Sequence, residues 1–219
     1  MTEPNHTRTF SGRRAPTRGP LLPLALVLLV GAALAVVYWL ARPQLLFTNG
    51  LIAPVRVTMD NYPPRSVGPG TSVRLAAPWR KPVLVSWESM RPLSADDRPM
   101  GETLSGSLIL RNSWGTTERS VAARGSHGNY FAPLITNATP DLLRITVNAG
   151  LEGALDCGCA VRPDARRVFI GYYPLYENST VQATAPARAR AVFRDLGSRV
   201  VSGDGSVGLR YEEKDLRSR

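Results

Sequence analysis

Two cysteines separated by one glycine are the residues of this 219-residue chain with the clearest capacity for chemistry. Cys157 and Cys159 are its only cysteines, so a scaffold held by several disulfides is excluded. In an extended strand, residues two apart point to the same side, so both sulfurs would lie on one face. Three fates are open to such a pair. Two thiolates could capture a soft ion such as Cu(I), a strained and reducible disulfide could exchange with other thiols, or the pair could be small buried hydrophobes or a structural disulfide.

The metal interpretation resembles, in outline, the copper chaperones that deliver copper to cytochrome oxidase. That family has an N-terminal membrane anchor, an exported immunoglobulin-like β domain and a Cys-x-Cys copper site. The resemblance therefore implies copper as the metal, with Cys157 and Cys159 as its ligands. The family also has Phe beside its cysteines and an apolar run after them, where this chain has Gly158, Ala160 and Arg162-Pro163-Asp164. The resemblance covers one tripeptide and the general layout.

Enzyme chemistry finds little support elsewhere in the sequence. His127, in a Gly-Ser loop typical of solvated histidines, is the only imidazole after the N-terminal tail. The sequence contains no Gly-x-Ser-x-Gly elbow, His-Glu-x-x-His motif or calcium loop. A Gly-x-Gly-x-x-Gly pattern at 203–208 is not followed by the apolar helix that a dinucleotide site requires. We therefore expect no enzyme, no catalytic residue and no cofactor, with copper as the alternative.

Short segments rich in Val, Ile, Leu and Thr recur after residue 43 and predict an all-β region. Pro- and Gly-rich breaks separate them at a spacing typical of sandwiches or small barrels. A second helix is predicted only at 187–196, and the turn at 203–206 predicts a hairpin between 199–201 and 207–211. The predicted strands are 55–59, 71–75, 83–87, 107–110, 118–122, 143–147, 167–172 and 180–183.

This β region contains an internal repeat. The segments 47–49 and 55–59 match 135–137 and 143–147, with one constant offset between the two copies. Each copy then reaches a Val-x-Pro turn and another strand. We predict two tandem β-sandwich-like lobes, at 43–124 and 129–219, although short β patterns also match by chance.

The two copies differ in one step. Val67 follows Met59 by eight positions, whereas Val161 follows Val147 by fourteen, so the second lobe contains an insertion of six at this point. The inserted segment contains Glu152 and Asp156 as well as both cysteines.

An uncharged segment at 19–41 separates a basic head from the polar body. It consists mostly of Leu, Val and Ala. At about 1.5 Å per helical residue it reaches ~34 Å, which is enough to cross the ~30 Å hydrocarbon core of a bilayer. We therefore predict a transmembrane helix at 19–41. A cleavable signal peptide is the rival interpretation, because Ala33-Leu34-Ala35 has the small-x-small form of a cleavage site. Signal h-regions are shorter, at about 7–15 residues.

The charges around this segment predict its orientation. The head at 1–18 carries four arginines against the single acid Glu3, whereas the far flank offers only Arg42. The positive-inside rule therefore places this tail in the cytoplasm and the body in a bacterial periplasm, as a single-pass protein of the inner membrane. Tyr38 and Trp39, at the far end of the segment, suit the headgroup layer.

The anchor and the charge predict a binding role. Gly31 and Ala35 lie four apart on one predicted helix face with Ala32 beside them, an arrangement that lets another membrane helix approach closely. The net charge is +10, to which four arginines minus Glu3 in the head contribute +3, so most of the excess lies in the body. A basic exported surface suits anionic lipid headgroups or an acidic partner protein, and nucleic acid would lie across the membrane.

The function predicted from these features is that of a non-catalytic accessory or scaffolding subunit of a larger membrane complex. Respiratory and photosynthetic electron-transfer complexes are plausible hosts, and the expected partners are other membrane subunits and the lipid bilayer, with no nucleic acid. The alternative is an exported copper chaperone or thiol-exchange protein using Cys157 and Cys159. Sequons at Asn137 and Asn178 would be glycosylated only in a glycosylating export compartment.

Overall fold

A computed structural model describes residues 21–60, 62–77, 82–95, 97–111, 115–125, 128–148, 155–196 and 202–218. The chain divides into two compact units, Met1–Ala41 and Arg42–Arg219, which are considered separately. The second unit is called the body below.

The first unit contains one helix, α1, at Leu21–Leu40. Its residues are Leu, Val, Ala, Gly, Pro and two aromatics, with no charged side chain. Within the described part of the chain, whose helical side chains cover 23–39, no helix is both long and apolar enough to cross a membrane. The helix itself is predicted from the sequence, but its assignment as a transmembrane span at 19–41 is not supported by this finding.

The first half of the body, 44–121, forms two sheets that enclose apolar side chains. β1 lies in the middle of one sheet, antiparallel to β4 and parallel to β7. The other sheet has the order β3-β2-β5-β6 and is antiparallel throughout. The strands are β1 (Gln44–Asn49), β2 (Val55–Met59), β3 (Arg65–Val67), β4 (Ser72–Ala76), β5 (Val83–Ser89), β6 (Ser105–Leu110) and β7 (Thr116–Val121).

The second half, 124–218, contains the remaining strands in two sheets. One has the order β11-β10-β14-β15-β17, and the other is built around β9, which pairs with β8, β12, β13 and β16. The strands are β8 (Arg124–Gly125), β9 (Gly128–Ala138), β10 (Leu143–Val147), β11 (Leu155–Val161), β12 (Val168–Phe169), β13 (Tyr173–Pro174), β14 (Thr180–Ala185), β15 (Arg190–Asp195), β16 (Ser206–Glu212) and β17 (Arg217–Ser218). Short 3₁₀ helices occur at Pro186–Arg188 and Glu213–Asp215.

Strand pairing in the second half follows that of the first. β9 is antiparallel to β12 and parallel to β16, as β1 is to β4 and β7. β10 lies between β11 and β14, as β2 lies between β3 and β5, and β14 pairs with β15 as β5 pairs with β6. The repeated sequence segments occupy equivalent strands in this scheme.

Alternating burial explains why these segments form strands. Along β2, Val55, Val57 and Met59 are buried while Arg56 and Thr58 are exposed, and β10 buries alternate residues in the same way. A period of two places apolar side chains on the inner face of a strand and polar ones towards solvent. The prediction of an all-β body is confirmed.

Two clusters of buried apolar side chains form the interior, one mainly in each half of the body. Each cluster also includes residues from the opposite half. The first cluster includes Ala132 and Tyr172, which belong to the second half in sequence. The second cluster includes Met100, which belongs to the first half. The Tyr172 hydroxyl accepts a hydrogen bond from the Ile52 amide at 2.9 Å and donates one to the Asp204 carbonyl at 3.0 Å. Packing and hydrogen bonds therefore join the two halves.

The predicted helix at 187–196 is wrong. The chain makes a 3₁₀ turn at Pro186–Arg188, and Ala189 adopts a left-handed conformation with φ of 50°. It then returns as β15, which pairs antiparallel with the full length of β14. Pairing with a neighbouring strand overrides the helix preference of this Ala- and Arg-rich segment. β16 covers the predicted strand at 207–211 but pairs in parallel with β9, and the predicted hairpin partner at 199–201 lies outside the described residues.

Candidate functional site

Cys157 and Cys159 lie on β11, an edge strand of the five-stranded sheet. Ile145 of β10 lies opposite Cys159, but the next residue, Thr146, lies opposite Asp156. Two residues of β11, Cys157 and Gly158, therefore have no counterpart on β10 and form a β-bulge. An edge strand accommodates such an insertion because its outer side has no partner whose register would be disturbed.

The bulge brings the two cysteines into a disulfide. In a regular strand, Cα atoms two residues apart would be about 6.6 Å apart. The Cα atoms of Cys157 and Cys159 are 5.0 Å apart, inside the usual range for disulfides. The two sulfurs lie together, but the strand between them is not regular, because the bulge brings the two Cα atoms closer. Among the described residues no cysteine is free.

The two sulfurs differ in burial. Cys159 is only 1% exposed and belongs to the second apolar cluster, whereas Cys157 is half-buried at its margin. The backbone amide of Cys159 donates a hydrogen bond to the Cys157 sulfur at 3.2 Å. This amide would stabilise a thiolate on Cys157 if the bond were reduced.

A buried tyrosine lies beside the inner sulfur. The Tyr173 hydroxyl oxygen is 3.8 Å from the Cys159 sulfur, and the hydroxyl donates a hydrogen bond to the Ile170 carbonyl at 2.8 Å. Burial raises the pKa of Tyr173 well above its ordinary value, so its phenol is neutral at physiological pH. Tyr173 therefore offers this sulfur a neutral neighbour.

Among the described side chains, the two sulfurs are the candidate metal ligands at this site. Across the described residues, no group of three or more His, Cys, Asp or Glu side chains is placed to hold a metal ion. Glu152 lies outside the described residues, and nothing is described of the Asp156 side chain. In the disulfide neither sulfur is a thiolate, and thiolates are the ligands that Cu(I) requires. Cys157 and Cys159 would hold copper only after reduction.

The residues predicted to pack against another membrane helix lie on α1. Gly31, Ala32 and Ala35 are all exposed, and a Cβ added at Gly31 would meet nothing within 4 Å. This face of the helix is open to close approach by another helix. Tyr38 and Trp39, the predicted interface residues, are also exposed near the C-terminal end of the helix.

Two buried asparagines occupy equivalent positions in the two halves, and their side chains hydrogen-bond to the backbone. The Asn49 side-chain amide donates to the carbonyls of Ala53 and Val67, both at 2.9 Å, and its oxygen accepts from the Leu51 amide. Asn137 donates to the equivalent carbonyls of Asp141 and Val161, at 2.8 and 3.0 Å. Both side chains are fully buried. The repeated Thr-Asn pair is visible in the sequence, but this structural role is not among the predictions made from it.

The hydrogen bonds of Asn137 affect whether its sequon can be glycosylated. Its oxygen accepts hydrogen bonds from both the amide and the hydroxyl of Thr139, the third residue of the sequon. A side chain so buried and bonded is closed to glycan transfer in the folded protein. Asn178 is exposed.

The remaining sequence candidates lie in a turn, in the interior or outside the described residues. His127 lies outside the described residues. The glycine-rich segment at 203–208 is a turn that leads into β16, not into a helix. Trp87, Tyr172 and Tyr173 are buried in the body.

No family model matches this chain, and no curated protein or solved structure matches it either.

Proposed function

We propose that this chain is a non-catalytic accessory subunit, anchored in the bacterial inner membrane by α1 and holding its β body in the periplasm. The helix packs among the spans of a larger complex, and the body covers part of that complex outside the membrane. Respiratory and photosynthetic electron-transfer complexes are the hosts we favour.

The observation that supports this proposal is the exposure of apolar side chains all around α1. Every described side chain from 23 to 39 is exposed, which covers more than four turns of helix and hence every direction around its axis. A helix that is apolar on all sides requires an apolar environment, either lipid or other helices. The largest exposed side chains are Leu24, Leu26, Val27, Leu28, Leu29, Val30, Leu34, Val36, Val37, Tyr38 and Trp39.

The body supports an interaction role through its basic surface. Arg56, Arg119 and Arg144 are exposed, and no ion pair links any of them to a described acidic residue. Surface arginines outside ion pairs suit an acidic partner surface, where charge complementarity increases the rate of association. Reversal of these charges should weaken association with the complex.

The first experiment measures the mass of the particle that carries this chain after mild detergent extraction from its native membrane, together with its metal content. A large, stable particle without stoichiometric copper is the expected result. A small, solitary particle would contradict the accessory role.

Two helix variants sharpen this experiment. Gly31→Leu with Ala35→Leu fills the small-residue face, and should release the chain from the complex while it stays in the membrane. Ala33→Leu with Val37→Leu adds a smaller bulk on the opposite face and serves as the control. Equal retention of both variants would show that the small face makes no helix contact.

A second candidate function is thiol–disulfide exchange, favoured by the disulfide on the edge strand. The half-buried Cys157 sulfur is the one that a partner thiolate can reach. Attack there forms a mixed disulfide and releases Cys159 as a thiolate, which takes up a proton. The partner's second thiolate then attacks its own bonded sulfur, which leaves the partner oxidised and Cys157 reduced. The reduced pair is also the form that could carry Cu(I) as cargo.

Single serine variants test this second function. Cys159→Ser leaves the accessible thiol without its resolving partner and should accumulate mixed disulfides with periplasmic proteins. Cys157→Ser leaves only the buried thiol and should accumulate few. If Cys157→Ser with Cys159→Ser leaves complex assembly intact and neither single variant traps a partner, the exchange function is wrong.

A further inference from the structure

The open edge of the first half contains a cleft of about 260 Å³ between the two sheets. β3 covers only one end of β2, because its residues pair with Val55, Arg56 and Val57 alone. The end of β2 therefore faces β4 across the gap. The floor is apolar and consists of Val57, Met59 and Leu75.

The rim of this cleft is basic. Arg65 of β3 and Arg74 of β4 line it from opposite sheets, and both side chains are exposed. No ion pair joins either arginine to an acidic residue in the described part of the chain. Tyr62 lines the same cleft and is 43% exposed. Two guanidinium groups above an apolar floor, with a phenol at the margin, match a ligand that has an anionic head and an apolar stem.

The cleft lies where the chain enters the body. Ala76, which also lines the cleft, pairs with Gln44, the first residue of β1. The Ala77 amide donates a hydrogen bond to the Pro43 carbonyl at 2.9 Å. Only residues 41–43 separate this point from the end of α1 at Leu40. The strand that pairs with this lining is therefore close in sequence to α1, the proposed anchor.

We propose that this cleft binds the phosphate headgroup of an anionic phospholipid in the bilayer that anchors the chain. The two arginines hold the phosphate, and the apolar floor accepts the first carbons of the acyl chains. Tyr62 contacts the headgroup layer, where amphipathic rings are favoured. The net charge of +10 favours the same surface. This inference rests on the proposed membrane anchor.

The test uses the full chain in lipid nanodiscs made of phosphatidylcholine and phosphatidylglycerol at a ratio of roughly two to one, which gives an anionic surface. A small fraction of the phosphatidylglycerol carries a photoreactive diazirine near the headgroup. Adducts are mapped by mass spectrometry after illumination. We expect adducts at 62–76 in the unaltered chain. They should fall about tenfold or more in Arg65→Glu with Arg74→Glu, because each arginine near an anionic surface contributes substantially to attraction.

The controls separate this site from general electrostatics and from misfolding. Arg98→Glu with Arg166→Glu makes the same charge change at exposed positions of the body outside the cleft and should keep the adducts. Arg65→Ala with Arg74→Ala, a milder change, should lower them by an intermediate factor. Equal labelling of the cleft in all variants, or no labelling in the unaltered chain, would overturn the lipid site.

One further experiment distinguishes an error in the lipid proposal from an error in the anchor proposal. Extraction with alkaline carbonate releases proteins that lack a membrane-embedded segment. If the chain resists extraction but gives no adducts, the anchor proposal stands and the lipid proposal is wrong. Release of the chain by carbonate would contradict the anchor itself. If lipid adducts are absent and the Arg65→Glu, Arg74→Glu variant leaves the native complex, the cleft binds an acidic protein instead, which also overturns the proposal.

Discussion

The two halves of the body share one pattern of strand pairing but differ at the same edge. In the first half, β3 pairs with only three residues of β2 and leaves an open basic cleft. In the second half, β11 pairs along all of β10, with a bulge that carries the disulfide. The same sandwich scheme thus presents guanidinium groups at one edge and sulfurs at the other. Edge strands tolerate this divergence because one side of them is free of partners.

The features that the two halves of the body share lie in the interior. Asn49 and Asn137 hold equivalent carbonyls, and each half keeps a parallel pair formed by its first long strand and a strand late in that half. Buried hydrogen bonds of this kind are costly to lose, because the groups they satisfy have no access to water. Divergence at the edges over a common interior lets one half acquire a chemistry that the other lacks.

The largest expected effect comes from breaking the junction between the halves at Gly171. Its φ is +109°, and an added Cβ would lie 2.6 Å from the Met100 carbonyl oxygen. Gly171→Ala should therefore destabilise the body by about 3–5 kcal/mol, through backbone strain and displacement of the contact. Gly70→Ala is the control, because φ is +65° there but the added Cβ meets nothing, and we expect about 1 kcal/mol. Denaturant unfolding measures both, and equal losses would contradict a tight junction.

Replacement of the paired asparagines compares the two halves directly. Asn49→Ala and Asn137→Ala should each cost about 2–4 kcal/mol, because buried backbone groups lose their partners. Asn137→Ala should cost more, since the hydroxyl of Thr139 also bonds to that side chain. Unfolding followed by tryptophan fluorescence and by circular dichroism measures the loss. A larger loss for Asn49→Ala would contradict the added contribution of the Thr139 hydroxyl.

Alkaline pH tests the two adjacent tyrosines, of which one joins the halves and the other lies within the second half. Burial raises the pKa of both Tyr172 and Tyr173 well above their ordinary value. Above pH ~10 the unfolded chain loses these protons while the folded chain keeps them, so stability should fall as pH rises, by about 1.4 kcal/mol per pH unit for each tyrosine. Below pH ~10 neither group should contribute to the slope.

Phenylalanine variants show how much of this pH dependence of stability each tyrosine contributes. Tyr172→Phe should remove one tyrosine's share of it and cost about 1–3 kcal/mol at neutral pH, because the Ile52 amide loses its acceptor. Tyr173→Phe removes the hydrogen bond to Ile170 and should cost about 1 kcal/mol. Unfolding curves from neutral to strongly alkaline pH measure both, and an unchanged alkaline slope in both variants would contradict the assignment.

A small effect is also expected from removing the disulfide. A ring closed over so few residues restrains the unfolded chain little, so Cys157→Ser with Cys159→Ser should cost about 1–2 kcal/mol. Thermal unfolding of the oxidised, reduced and doubly substituted chains measures this. A loss above ~4 kcal/mol, as for a disulfide that closes a long loop, would show that the second half depends on its sulfurs for folding. That result would favour a structural role over exchange.

The sequence predicts the part of the fold that depends on local alternation. β2 and β10 are predicted to the residue, because strict alternation over five residues indicates one buried face. β1 is missed because its adjacent Leu45 and Leu46 obscure that alternation, although they point to opposite faces. β15 is mistaken for a helix because its local composition favours helix, and only pairing with β14 decides otherwise.

The candidate site is predicted by residue but not by geometry. The Cys-x-Cys spacing identifies Cys157 and Cys159, whereas the bulge between them depends on the register against β10, which a single strand's sequence does not encode. The cleft is not predicted at all. Arg65 and Arg74 share no sequence pattern and become neighbours only because the edges of two different sheets face each other.

The parallel pairing of β1 with β7 and of β9 with β16 sets the order in which the body can be completed during synthesis. The first half lacks the parallel partner of β1 until Val121 has been made, and the second lacks that of β9 until Glu212, close to the end of the sequence. Contacts so distant in sequence form slowly. Throughout that interval β9 has an unpaired edge, and such edges are where nascent chains aggregate. Each half therefore depends on its last long strand to cover the edge of its first one.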